Sequence, residues 1–492
     1  MVGVRRRIEL VSARKAAGLT QEKLAEVMRV DRSTVIRWEA GEYAPLPFQW
    51  PKLARVLGRS TDEVRDLIDV RQASGPLTLG SELGPAFSWL DRHANWTPGT
   101  TRSRVEAQAP NRRAAQVADR RRVGEALACY YGNPPADHAM YQARCGQIEV
   151  QTSILTRPEW TELLCPLNFE SDRVALVPDV EQPRRNVDEG AAVRRLAEAA
   201  ADGVRIADVP IYRLVQLEAG PSSIAGKVGL APFVEYALTA DLLERELTDR
   251  LAAGKQLRAG SVPLRDRYLP DLAAVLDPSG RLCAGGVLAL TAIARPADPN
   301  RGGPDYLLLV QERSGRVVNA PGRLAVIPKA FHRPLADQRA DARIGATLRR
   351  ELEKELFGRA DVDNTAGGLR AADPMHPSRL SAPMRWLTEE PGRLRMECTG
   401  FGFNLVSGNY EFASVVVVDD EEFWPRFGGS IEANWEADGL RSYSTLDGDL
   451  IAELVADEAW TNEGLFALLQ GLRRLSEIGG DRVKIPTVEL SC

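Results

Sequence analysis

The chain has 492 residues, of which 44% are hydrophobic and 27% charged, as in ordinary globular proteins, and its length predicts about three domains. The net charge of −5 argues against a chain that wraps nucleic acid along its whole length. The longest apolar run, residues 287–294, is much shorter than the roughly 20 residues that cross a membrane, and no apolar run follows Arg5–Arg7. We therefore predict neither a membrane span nor a signal peptide.

The cysteines and histidines are scattered along the sequence and show no CxxC pair or other spacing that is typical of metal sites. We therefore predict reduced thiols, a cytoplasmic location and no zinc site. The four histidines are accompanied by six cysteines, which are Cys129, Cys145, Cys165, Cys283, Cys398 and Cys492.

Two short amphipathic helices are predicted at the start of the chain. The first contains Leu10, and Gly18 is suited to end it because glycine adopts the left-handed conformation at little cost. Thr20 is a good N-cap for the second helix, since its hydroxyl can accept a hydrogen bond from a backbone N–H of the first turn. Leu24 and Met28 give this second helix an apolar side.

A third helix is predicted to begin at a cap on Asp31. Val35 and Trp38 lie three residues apart on it and therefore face the same way, toward a small core. Apolar residues within 53–57 and 64–68 predict two further helices, so the domain is predicted to be an all-α bundle of five helices. The outward positions of the third helix are Arg32, Ser33, Thr34 and Arg37.

Positive charge is concentrated in the same segment. Residues 1–72 contain 14 lysines and arginines against 10 aspartates and glutamates, a net charge of +4, whereas the rest of the chain carries −9. Arginine in the major groove can pair with two acceptors of guanine, and the start of a helix favours phosphate. A locally basic module in an acidic chain therefore predicts duplex DNA as the partner.

The tract from Leu19 to Gly41 resembles the XRE helix-turn-helix family, the type of lambda repressor and Cro, and the likeness ends near residue 70. The resemblance implies that Gln21 contacts backbone phosphate at the start of the second helix. It also implies that Arg32, Ser33 and Arg37 face base edges. With Thr34 from the outward face, the predicted DNA-binding residues are Gln21, Arg32, Ser33, Thr34 and Arg37.

Three further residues are predicted to hold this domain together. The resemblance implies that Arg14 and Glu39 form a partly buried pair, which braces the first helix against the third, and Trp38 is predicted to anchor the core. Two linked DNA-binding units on paired half-sites bind more tightly than one unit of modest affinity. We therefore predict a homodimer on a double-stranded operator. A docking module that has kept the fold and lost DNA binding is the alternative.

The middle of the chain gives weaker patterns. Gly-Pro and Pro-Gly pairs within 73–110 predict loops or a linker, and a helix is predicted over 111–131, so 73–139 is assigned to a linker and helical segment. Residues 140–275 are predicted to form a mixed α/β region of unknown role, without a catalytic constellation. Its predicted elements are strands at 147–152 and 211–215, a helix at 191–201 and a helix that Thr239 caps.

The last part of the chain carries a second pattern. Strands at 287–294 and 306–311 precede a Pro-Gly turn, and a helix over 346–358 bears the sequence Arg-Glu-Leu-x-x-Glu. This order resembles the Nudix fold, whose members hydrolyse nucleoside diphosphates linked to another group. The resemblance implies a mixed sheet with helices over 276–492 and a helix whose carboxylates hold Mg²⁺, because Mg²⁺ prefers hard oxygen ligands. The matching residues are Arg350, as the bracing arginine, and Glu351 and Glu355, which lie four apart on one face.

The sequence departs from the Nudix pattern where the metal would bind. Lys354 replaces one of two adjacent metal-binding glutamates, and Gly322 lies 28 residues before Arg350, about twice the family interval. The upstream glutamate has no equivalent, since Asp341 and Ala342 occupy that neighbourhood. Losing carboxylates lowers Mg²⁺ affinity, so we predict a degenerate site without metal or cofactor. If the site were active, Mg²⁺ would be its cofactor and Glu351 and Glu355 its ligands.

Together these patterns predict a multidomain transcriptional regulator with an all-α DNA-binding domain and an α/β C-terminal region. That region would sense a nucleotide-like or phosphorylated effector or mediate assembly, with no membrane partner. The alternatives are a Mg²⁺-dependent Nudix-type pyrophosphohydrolase that carries a DNA-binding domain, and a helix-turn-helix used for protein docking. The predicted boundaries are 1–72, 73–139, 140–275 and 276–492.

Overall fold

In a computed structural model the chain divides into two compact units, residues 1–78 and 79–492. Each unit has a hydrophobic core of its own. The structure describes residues 8–17, 19–28, 30, 32–40, 45, 49–59, 64, 83–108, 119–178, 187–204, 206–299, 302–313, 322–359, 375–431 and 437–490.

The first unit is helical, as predicted, and four of its helices have described bounds. Thr20 caps the second helix, because its hydroxyl accepts a hydrogen bond from the Lys23 N–H at 3.0 Å. The predicted fifth helix lies outside the described residues except for Val64, which is buried in the core. Gly18 and Asp31 also lie outside them. The four helices are Ile8–Ala16 (α1), Gln21–Met28 (α2), Arg32–Ala40 (α3) and Trp50–Leu57 (α4).

The second unit combines helices with two sheets, as the predicted α/β class requires. Its helices are Gly84–His93 (α5), Thr100–Glu106 (α6), Arg120–Tyr131 (α7), Pro158–Thr161 (α8), Glu189–Asp202 (α9), Phe233–Ala237 (α10), Leu242–Ala252 (α11), Pro263–Tyr268 (α12), Leu272–Leu276 (α13), Ile344–Glu355 (α14), Ala382–Glu389 (α15), Phe423–Phe427 (α16), Gly448–Ala456 (α17) and Asn462–Ile478 (α18).

The strands form a large mixed sheet and a separate small one. In the large sheet the order is β13-β8-β7-β12-β11-β2-β1-β14, with β9, β10 and β3 paired to β8, β7 and β11, while β4-β6-β5 form the small sheet. The strands are Ala139–Cys145 (β1), Ile148–Thr156 (β2), Cys165–Pro166 (β3), Asp172–Leu176 (β4), Pro210–Gly220 (β5), Ser223–Pro232 (β6), Gly285–Arg295 (β7), Asp305–Arg313 (β8), Leu324–Val326 (β9), Lys329–Phe331 (β10), Leu394–Asn404 (β11), Tyr410–Val418 (β12), Ala437–Ser444 (β13) and Val488–Leu490 (β14).

The large sheet is buried on both faces at its centre, where β7 and β12 run parallel. Along β7, Ala289 belongs to the core cluster that includes α14, whereas Leu288 and Leu290 belong to the cluster that includes α18. Side chains of a strand alternate between faces, so the two helices cover opposite sides of the sheet. This explains why the sequence of β7 is a continuous run of apolar residues, without the alternation of apolar and polar residues that a half-exposed strand shows.

The predicted boundaries at 139/140 and 275/276 do not separate compact units. Strand β2, from the predicted middle region, pairs with β11 through Phe403 and Leu155, and β1 pairs with β14 near the end of the chain. One sheet therefore draws strands from both segments. Pairing across such long sequence separations leaves no local pattern in composition or periodicity.

The linker predicted over 73–110 is partly helical, which corrects the prediction. Pro85 lies in the first turn of α5, where its missing N–H is not needed, so the Gly84-Pro85 pair marks the start of a helix. The buried carboxylate of Asp91 accepts hydrogen bonds from the N–H groups of Gly99 and Thr101 at 2.7 and 2.8 Å, which fixes α6 against α5.

Thr239 was also predicted wrongly as a helix cap. Its hydroxyl donates a hydrogen bond to the Glu235 carbonyl, and α11 begins only at Leu242.

Candidate nucleic-acid interface

Helix α3 has one buried and one exposed side. Val35, Trp38 and Glu39 are buried, with exposed fractions of 3% or less. Arg32 and Arg37 are exposed on the opposite side. This matches the predicted division of the helix except at Thr34, which is half-buried and so lies at the edge of the exposed side. For Ser33 only the position within α3 is described; its side chain lies outside the described residues.

A buried carboxylate at Glu39 connects three of the predicted residues. Its Oε1 lies 2.5 Å from Nε of Arg14 on α1, and its Oε2 accepts a hydrogen bond from Nε2 of Gln21 at 2.6 Å. Arg14 also donates to the Leu19 carbonyl at 2.6 Å, directly before α2. The network Arg14–Glu39–Gln21 therefore joins α1, the turn, α2 and α3. The Gln21 side chain is held at the first residue of α2.

Arg32 forms an ion pair across the turn between α2 and α3. Its Nε lies 2.6 Å from Oε1 of Glu22, and both side chains are 58% exposed. An exposed pair of this kind contributes at most about 1 kcal/mol, because water screens it. Arg32 can therefore leave Glu22 for a phosphate or a base at low cost. The pairing of Arg32 with Glu22 joins two helices and is not indicated by any local pattern in the sequence.

The helix-turn-helix family matches residues 10–64, the stretch that forms α1 to α4 and contains the Glu39 network. An uncharacterized HTH-type transcriptional regulator of Methanothermobacter thermautotrophicus is 45% identical over 56 residues. That likeness covers 81% of the relative but 11% of this chain. The chain belongs to the family of XRE-type helix-turn-helix regulators.

As a helix-turn-helix regulator, the chain is a DNA-binding protein whose family likeness lies within its first unit. The matched residues include the predicted contacts on α2 and α3. Within the described ranges, no helix has the length and apolar character needed to cross a bilayer.

The second unit of this regulator contains the helix that resembles the Nudix family. On α14, Glu351 is buried between two cations, since its Oε1 lies 3.0 Å from Nε of Arg350 and its Oε2 lies 3.3 Å from Nζ of Lys354. Burial raises the pKa of Glu351, but Lys354 and Arg350 outweigh it and lower that pKa to about 2. Lys354 therefore occupies the carboxylate that the Nudix pattern would offer to Mg²⁺.

The remaining carboxylates near this helix are also engaged by the protein. Oε2 of Glu355 accepts a hydrogen bond from the backbone N–H of Lys329 at 3.2 Å. Oδ2 of Asp341 accepts from three successive backbone N–H groups at 2.7 to 3.2 Å. In the described part of the chain, no three His, Cys, Asp or Glu side chains come together as metal ligands. The residues present do not fit Mg²⁺.

We expect Glu351→Gln to destabilise the second unit, because the variant removes the buried carboxylate that pairs with Arg350 and Lys354, at a cost of about 3–5 kcal/mol. A folded-state pKa of about 2, against 4.5 for an ordinary glutamate, means that the carboxylate stabilises the fold fully above pH 4.5 and loses this effect as the pH falls toward 2. The difference in unfolding free energy between wild type and variant should therefore shrink in acid. Denaturant unfolding at pH 7 and pH 3 measures it.

Hydrolytic activity that depends on Glu351 would contradict its role as a purely structural ion-pair partner. If the wild-type chain releases phosphate or pyrophosphate from nucleoside diphosphate derivatives with Mg²⁺, and Glu351→Gln loses that activity at unchanged stability, α14 carries an active metal site. Glu355→Gln is the matched second variant, since Glu355 is the other carboxylate that the Nudix resemblance assigns to the metal.

A separate cavity of about 700 Å³ lies between α9, α11 and residues 253–264. Buried Arg195 lines it and pairs with Asp241, its Nη2 lying 3.1 Å from Oδ2. Two acidic residues that line the cavity bind groups of the protein itself. Both carboxylate oxygens of Glu246 accept hydrogen bonds from backbone N–H groups at 2.9 Å, and Glu198 forms an ion pair with Arg245. The basic residues that line the cavity are Arg194, Arg195, Arg245, Arg250 and Lys255.

Proposed function

We propose that this chain regulates transcription by binding a specific operator in double-stranded DNA through α2 and α3. The observation that carries the proposal is the exposed side of α3, where Arg32 and Arg37 lie opposite a buried side that is tied to α1 and α2 through Glu39. A rigid helix with outward arginines suits the major groove, where arginine can pair with guanine.

In this proposal Gln21 and α3 have different tasks. Gln21, at the first residue of α2, contacts a backbone phosphate and fixes the position of the unit on the duplex. Arg32, Ser33, Thr34 and Arg37 face base edges and provide sequence preference. A homodimer would place two copies of α3 in successive major grooves, about one helical turn of DNA apart.

We expect Arg37→Ala to reduce the preference for the operator over random duplex by about 1–3 kcal/mol, because one bidentate contact to guanine contributes this much. Arg37 is exposed, so the variant should fold as the wild type does. The operator is first selected from a random duplex library with the full chain. Affinities of wild type and variant for operator and random duplex are then compared at one salt concentration.

Gln21→Ala serves as the matched variant on α2. A phosphate contact carries no sequence information, so this change should weaken operator and random duplex by the same factor and leave the selected sequence unchanged. Equal losses for Arg37→Ala on both duplexes would place Arg37 on phosphate. A new preferred sequence for Gln21→Ala would place Gln21 on a base.

For the second unit we propose a sensor of a phosphorylated or nucleotide-like small molecule, or an assembly surface. The cavity between α9 and α11 supports the sensor, because its volume suits a small ligand and its lining includes Arg194, Arg250 and Lys255, besides the two arginines that are paired with carboxylates. A change in operator affinity on adding a nucleoside diphosphate derivative would favour the sensor. A loss of dimer on deleting residues 79–492, with no ligand response, would favour assembly.

A further inference from the structure

Ile36 is an exposed aliphatic residue on the outward side of α3. Its side chain is 41% exposed, although its neighbours Val35 and Trp38 are almost completely buried. Few large apolar side chains of the described residues are exposed to this degree. The core of the first unit is formed without Ile36, so packing within the unit does not account for an isoleucine here.

The surroundings of Ile36 indicate the kind of molecule that covers it. Arg32 lies four residues before it, one helical turn away on the same side, and Arg37 follows it directly. Both arginines are exposed, so the aliphatic side chain lies beside two guanidinium groups, of which that of Arg32 is paired with Glu22. An apolar protein partner would have to bury these charges, whereas duplex DNA offers phosphates and base acceptors to the arginines.

In the major groove, the apolar group that a base pair presents is the C5-methyl of thymine. We propose that Ile36 contacts the C5-methyl group of a thymine in each half-site, an inference that rests on the proposed operator binding.

The test removes the methyl group from the DNA and the aliphatic side chain from the protein. An operator is selected with the full wild-type chain, and each thymine is replaced in turn by deoxyuridine, which lacks only the C5-methyl. We expect an affinity loss of about four-fold per half-site at one thymine position, the fold-change that corresponds to burying one methyl-sized group.

The variant Ile36→Ala should bind the thymine operator less tightly and lose its sensitivity to deoxyuridine at that position. Since Ile36 is exposed, the melting temperature of the Ile36→Ala variant should equal that of the wild type. Val27→Ala is the matched control, because Val27 is an aliphatic residue of α2 with 36% exposure, and this variant should keep the deoxyuridine effect.

The following outcomes would overturn the inference. If the chain selects no sequence, the proposed function fails together with it. If the wild type selects an operator but no deoxyuridine changes its affinity, or if Ile36→Ala keeps the full effect, the thymine contact alone fails. If Ile36→Ala abolishes self-association in sedimentation and keeps the deoxyuridine effect, Ile36 belongs to a protein contact.

Discussion

Trp38→Ala should unfold the first unit and leave the second folded. Trp38 is 3% exposed and packs in a core that includes Leu10, Leu24, Val35 and Leu53. Replacing a buried tryptophan by alanine costs about 3–5 kcal/mol, which is close to the whole stability expected of so small a unit. In calorimetry of the full chain, the transition of the first unit should disappear and DNA binding should be lost.

Val27→Ala is again the control, since it removes an exposed side chain from the adjacent helix and should preserve both transitions. Limited proteolysis gives an independent readout: trypsin should cleave within residues 8–64 of the Trp38 variant while residues 79–492 resist. A Trp38→Ala chain that melts and binds DNA like the wild type would place Trp38 outside the core.

Glu39→Gln should have an effect of similar size, for an electrostatic reason. The variant leaves the guanidinium of Arg14, which is 8% exposed, without its anionic partner, and breaking a buried pair on one side costs about 3–5 kcal/mol. Replacing both partners by apolar residues of similar volume, Arg14→Met with Glu39→Met, should restore most of the stability. Denaturant unfolding of the three chains measures these differences.

The double variant also separates folding from DNA binding. It has lost the carboxylate that holds Gln21, so it should fold and yet bind operator and random duplex more weakly by the same factor. Wild-type affinity in a stable double variant would mean that Glu39 does not position Gln21. In that case the network Arg14–Glu39–Gln21 serves stability alone.

The sequence predicted the first unit well because its determinants are local. The cap at Thr20, the inward pair Val35 and Trp38 and the outward arginines follow from helical spacing over about one turn. The hydrogen bond from Gln21 to Glu39 was not predicted, and the Arg14–Glu39 pair, which spans 25 residues, was predicted only through the family resemblance, because local spacing does not indicate contacts between helices. The exposure of Ile36 was also missed, although its position four residues after Arg32 places it on the outward side.

The architecture of the second unit could not be predicted to the same extent. The strands at 287–294 and 306–311 and the helix bearing Glu351 were identified by their local patterns. The sheet, however, joins β2 to β11 and β1 to β14 across about 250 to 350 residues of sequence, and no local pattern indicates such pairing. The ion pair of Lys354 with Glu351 likewise depends on burial, which sequence spacing does not give.

Sequence-specific operator binding is tested most directly by selecting duplexes from a random library with the full chain. Affinities for the selected and a random duplex are then measured at several salt concentrations. We predict enrichment of one sequence with two symmetric half-sites, bound at least about 10³-fold more tightly than random duplex. Both affinities should fall as salt rises, because lysine and arginine contacts to phosphate release counterions. Selection of no sequence, with equal affinity for all duplexes or none at physiological salt, would contradict a sequence-specific regulator.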